Sequence, residues 1–159
     1  MSDRFAVPAQ AESGAFLSDI EMPSGVRRDE NSFVTALVCE ALFPWKNDPR
    51  VAAAISGGLE FIKSCASRNV PGAFGFWPEG GHPHWLARAL PPDTDDTAIC
   101  HSILSRFDPA WNIGEAVTAI APSKIVYLDE RSRSWHQVGG FETWIDEVAV
   151  GRVAKLVEI

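Results

Sequence analysis

The chain is short of cysteine, of clustered positive charge and of long apolar runs, and each shortage removes a class of protein. Cys39, Cys65 and Cys100 are odd in number, widely separated and without a Cys-x-x-Cys spacing. They read as reduced, mostly buried thiols of a cytoplasmic protein. The 14 basic residues stand against 21 acidic ones, a net charge of −7. The longest basic signals, Arg27-Arg28 and Arg131 with Arg133, are too short to form a patch, so neither nucleic acid nor an anionic membrane surface is an expected partner. No stretch approaches the roughly 20 apolar residues that a membrane helix needs. Asp3, Arg4, Pro8, Gln10 and Glu12 also interrupt the first residues before a signal-peptide core could form.

What remains is ordinary globular material. A chain of 159 residues with 46% hydrophobic and 22% charged content is expected to fold as one domain around a real core. Residues 1–13, polar and proline-containing, read as an extended lead-in, and residues 14–159 as a single helical domain. A turn at Pro23 and Gly25 precedes Asp29 and Asn31, either of which can cap a helix from Ser32 to about Leu42, where Phe33, Leu37 and Ala41 recur at helical spacing. Asp48-Pro49 opens a second helix reaching about Ser67, with Val51, Ile55, Leu59 and Ile62 as its apolar stripe. Gly57-Gly58 weakens its middle and lets another segment approach closely. Residues 122–138 fit a helix or a hairpin equally, and Asp146–Val157 reads as a closing amphipathic helix.

The most demanding stretch is Pro91-Pro92-Asp93-Thr94-Asp95-Asp96-Thr97-Ala98, which sets three carboxylates ahead of an apolar run from Ile99 to Leu104. Like charges this close repel, so where they are even partly buried one of them should keep its proton to unusually high pH. A carboxylic acid that is neutral at pH 7 is a proton donor suited to an alkene or an epoxide. The plainer reading is an acidic helix start, with Asp93 or Asp95 as the cap and the others facing the positive end of the helix dipole. Asp95 and Asp96 lie about 100° apart on a helical wheel, so they cannot share a direction.

Residues 68–92, which lead into this stretch, form the least regular part. A loop this long inside a compact domain is usually functional. Its rings, Phe74, Phe76, Trp77 and Trp85, favour a folded loop; they can line a substrate site or simply pack.

The hexapeptide Asp93 to Ala98, with the two prolines before it, resembles the acid motif of class II terpene cyclases, the family that includes squalene-hopene cyclase. The resemblance implies acid-initiated cyclisation or isomerisation of an isoprenoid. Asp95 would deliver the proton, Asp93 and Asp96 would orient it and tune its acidity, and Phe74, Phe76, Trp77 and Trp85 would stabilise the cation by cation–π attraction. No cofactor is implied, and magnesium enters only if the substrate carries a diphosphate. The Asp-Asp-x-x-Asp cluster of class I terpene synthases is absent.

An internal echo points the same way. Gly14-Ala15-Phe16 precedes Asp29 and Thr35-Ala36; Gly72-Ala73-Phe74 precedes Asp93 and Thr97-Ala98; Gly140-Phe141 with Thr143-Trp144 precedes Asp146. This resembles the repeat of the terpene-cyclase and prenyltransferase toroid, so the expected fold is all-α, a partial alpha/alpha toroid of about three units. Three units fall short of a ring, which implies a homodimer or a partner protein completing the cavity. An alternative on the same residues is a non-catalytic isoprenoid-binding or interaction module. A third reading takes His82 and His84, with the nearby aspartates, as ligands of a metal-dependent hydrolase or oxygenase. His101, off the Asp95 face, reads as a surface or core-edge histidine.

Overall fold

The computed structural model describes residues 7–86, 89–124 and 143–145. Along them run strands β1 (Leu17–Met22) and β2 (Gly25–Glu30), then helices α1 (Ser32–Leu42), α2 (Pro49–Ser64), α3 (Thr94–Phe107) and α4 (Gly114–Ile120). Short 3-10 turns follow α1 and α4 at Phe43–Trp45 and Ala121–Ser123.

The expected all-α toroid is overturned by the strands: the described residues form a small mixed structure of one antiparallel hairpin and four helices. The two strands pair from Leu17 with Glu30 to Met22 with Gly25. The physical reason lies in the sequence. Ile20 and Met22 alternate with exposed Asp19 and Glu21 at the period of a strand, and Pro23-Ser24-Gly25 supplies turn residues, Gly25 taking a φ of +113°.

The helices obey local rules. Asn31, not Asp29, caps α1, its side chain accepting from the Val34 N–H at 2.8 Å. Asp48 caps α2 ahead of Pro49, accepting from the Arg50 N–H at 2.9 Å. α2 stops at Ser64, short of Ser67, because Cys65 turns its N–H back to the Ile62 carbonyl. Gly58 is the place where α1 and α2 close in: a β-carbon there would sit 2.6 Å from the Cys39 sulfur and 3.2 Å from the Phe16 ring. α1 packs on both α2 and α3, and the main core gathers Phe16, Leu42, Ile55, Ile62, Phe74 and Leu104.

All three cysteines are free and buried in that core. Burial pushes the Cys39 and Cys65 thiols up to about 12 and raises Cys100 as well. No helix among the described residues is long and apolar enough to cross a membrane. The expected closing helix and nearly all of the ambiguous segment lie outside the described residues.

Two copies of one local design stand out. In the first, Phe16 bridges to Gln10, and its N–H donates to the Thr35 hydroxyl at 3.1 Å. In the second, Phe74 bridges to Ala66, and its N–H donates to the Thr97 hydroxyl at 2.9 Å. Gly14 and Gly72 begin the two turns at φ of +92° and +78°. Each turn seats against a helix, Gly14 on the Gly57 carbonyl and Gly72 on the Glu115 carbonyl. The start of α1 is held by the second turn, with Ser32 donating from its N–H to the Phe76 carbonyl at 2.9 Å and from its hydroxyl to the Gly75 carbonyl at 2.9 Å. The start of α3 is held in the same way by the Thr143 carbonyl, 2.8 Å from the Thr94 N–H.

Candidate active site at the start of the third helix

Asp93 is the N-cap of α3, and its Oδ1 accepts the Asp96 N–H at 2.7 Å. The bond satisfies one of the four amide groups that a helix start leaves open. It also fixes Asp96 one helical step from Asp95, so the two carboxyls diverge. Asp96 turns inward and is only 2% exposed, Asp93 is buried as well, and Asp95 faces outward.

Burial and like charge act together on Asp96. Burial, then the hydrogen bond to Asp93, then the charges of Asp93 and Asp95 push the Asp96 carboxyl from 3.8 up to about 8. Its Oδ2 has no hydrogen-bond partner among the described residues. Asp96, which the resemblance gives the role of orienting the donor and tuning its acidity, is thus pushed toward its protonated form.

Behind the carboxyls the inner face of α3 is fixed by polar contacts. Thr97 holds the Phe74 backbone. One turn on, His101 is buried, with Nε2 2.8 Å from the Gly72 carbonyl and Nδ1 2.9 Å from Trp111 Nε1. An indole N–H only donates, so Nδ1 accepts and Nε2 donates to Gly72. His101 is thus a strut joining α3, the second glycine turn and Trp111, not a surface or core-edge side chain. Its place four residues after Thr97 on one helix face was the available signal.

The four candidate rings are divided. Phe74 is buried, edge-on to His101 with ring centres 5.2 Å apart. Phe76, Trp77 and Trp85 form a separate edge-to-face series, with centres 4.7 and 6.4 Å apart. That series is tied to the start of α1: Trp77 Nε1 donates to the Asp29 carboxylate at 2.9 Å, and Asn31 donates to its other oxygen at 2.7 Å. Asp29, read from sequence only as a possible cap, is a buried anchor for the Trp77 indole.

A cavity of about 470 Å³ lies between Trp77, Pro91 and Ile145. Asp93, Asp95 and Asp96 are not among its walls. His82 lines it, whereas His84 is exposed. No three His, Cys, Asp or Glu side chains converge to hold a metal ion among the described residues, so His82, His84 and the aspartates do not form the ligand set of the metal-enzyme reading.

Compared with protein-family models, curated proteins and solved structures, the chain matches none.

Proposed function

We propose that the start of α3 is a proton-donating site acting on an isoprenoid alkene or epoxide, with Asp95 as the carboxyl that meets the substrate. The observation that supports it most is the division of the motif into one outward carboxyl and two buried ones. Asp96, held neutral behind Asp95, keeps the trio from carrying its full negative charge. Asp93 fixes the geometry through the cap. In the reaction the alkene π pair takes the Asp95 proton; a C–H bond forms, the carboxyl O–H breaks, and a carbocation and a carboxylate result. The isoprenoid class rests on the resemblance of Asp93–Ala98 to the terpene-cyclase acid motif.

The experiment is incubation of the purified protein with linear isoprenoid hydrocarbons and epoxides of increasing length, read by mass spectrometry for cyclic or isomerised products. Product from the native chain and none from Asp95→Asn supports the reading. Full turnover by Asp95→Asn, or no product from any substrate, rejects it.

A second reading, a binding module without turnover, is favoured by the walls of the apolar cavity, which include Pro91 and Pro92 but none of Asp93, Asp95 and Asp96. In that case a retained ligand survives Asp95→Asn unchanged.

A further inference from the structure

We infer that the cavity beside Pro91 is a binding site for an uncharged, mainly apolar molecule carrying one hydroxyl group, distinct from the acid site and independent of its chemistry. Its apolar walls are Val70, Trp77, Pro78, Leu90, Pro91 and Ile145, around a volume of about 470 Å³, within the size range of small-molecule pockets. These walls are held in place. Trp77 is pinned by Asp29 at 2.9 Å, Ile145 is fully buried with its N–H on the Pro92 carbonyl at 2.8 Å, and the prolines are stiff by construction. The cavity is therefore preformed, which lowers the ordering cost of binding.

Charge and hydrogen bonding set the ligand class. Glu79, paired with Arg68 at 3.0 Å, is the one carboxylate among the described wall residues, and no lysine or arginine stands among them, so a phosphate or carboxylate finds no counter-charge among those walls. His82 lines the wall, and its Nδ1 is buried with no partner among the described residues. A buried ring nitrogen without a partner is an unfavourable arrangement. Rotation of the imidazole about its Cβ–Cγ bond turns its nitrogens, and a ligand hydroxyl, both donor and acceptor, satisfies either tautomer.

Isothermal titration of the full chain with decanol, decyl phosphate and decane tests the assignment. The expected order is decanol tightest, with decyl phosphate at least tenfold weaker. His82→Phe should bring decanol down to the level of decane. Ala66→Trp and Leu90→Trp, both at exposed wall positions, should each lower decanol affinity at least tenfold while circular dichroism stays native. Asp95→Asn should leave affinity unchanged. Tighter binding of the phosphate, no binding of any probe, or undiminished decanol affinity in a folded mouth variant overturns the inference.

Discussion

Thr35 and Thr97 hold equivalent places: each is the fourth residue after its helix cap, each is fully buried, and each hydroxyl accepts the backbone N–H of the phenylalanine in a Gly-Ala-Phe turn. Thr35 also donates to the Asn31 carbonyl at 2.7 Å. Valine has the same shape and no hydroxyl, so either substitution strands a buried amide. Thr35→Val and Thr97→Val should each cost about 1–3 kcal/mol, and serine at either position should recover much of the loss. Urea denaturation of the four variants measures this; a valine variant as stable as the native chain would show that the shared contact holds nothing.

The turns that these threonines secure need their glycines for two separate reasons. Gly14 and Gly72 both have positive φ, and a β-carbon on either would run into backbone, at Gly72 only 2.7 Å from the Glu115 carbonyl oxygen. Gly25 also has positive φ but has nothing within 4 Å of such a carbon. Gly25→Ala should therefore cost only the conformational part, about 1–2 kcal/mol. Gly14→Ala and Gly72→Ala should cost clearly more, because a carbonyl cannot move aside as a flexible side chain can. Equal losses at all three positions in thermal or urea unfolding would contradict the close seating of the turns on α2 and α4.

Asp96 gives stability a pH dependence of unusual sign for a carboxylate. Its folded value, about 8, stands above the 3.8 it departs from. Between the two the folded chain binds a proton that the unfolded chain has released. Its contribution is full below about pH 4 and is lost as the pH rises toward about 8, with a slope of at most about 1.4 kcal/mol per pH unit. Asp96→Asn cannot ionise and should remove this slope. The stability of the variant relative to the native chain should thus grow from acid to neutral pH and level off above about pH 8. A difference that stays flat across that range would place Asp96 in water rather than in the core.

Much of the helical frame was legible because it is set locally. Asn31, Asp48-Pro49 and Asp93 are capping signals that act through their own neighbours, and the structure uses all three. The hairpin was harder to read: β2 carries Arg27, Arg28, Asp29 and Glu30, a charged run without a strand's alternation, and its pairing comes from the turn and from β1. The division of the acid motif was half legible. Helix geometry separates Asp95 from Asp96, but which one turns inward depends on where Thr97 and His101 are anchored, by Phe74 and by Gly72 and Trp111, and these contacts cross more than twenty residues in two of three cases. The same long reach hid Asp29's hold on Trp77, which spans 48 positions.

Ile113 and Val117 lie one turn apart at the start of α4 and are 53% and 67% exposed. Side chains at this spacing share a helix face, so they present a small apolar strip to solvent; the toroid that implied a homodimer is gone, and pairing of two copies now rests on this strip alone. Light scattering should give twice the chain mass, and Ile113→Asp with Val117→Asp should shift it to the single-chain mass without loss of helix content. A native chain that is monomeric at high concentration removes the dimer.

The acid site makes its sharpest prediction when Asp95 and Asp96 are changed separately. If Asp95 delivers the proton, Asp95→Asn removes the only member of the trio that a substrate can reach, and turnover should fall by a factor of at least a hundred, the low end of what a positioned acid contributes. Stability should hardly change, since the side chain is exposed. Asp96→Asn keeps a neutral side chain of the same shape behind Asp95, so turnover near neutral pH should fall far less. Asp96→Ala also removes the buried carboxyl group altogether, and should lower turnover and stability together. Measuring kcat against pH for all three decides the matter: were Asp96→Asn as inactive as Asp95→Asn while equally well folded, the buried carboxyl itself would be the donor, and the exposed one its route to solvent.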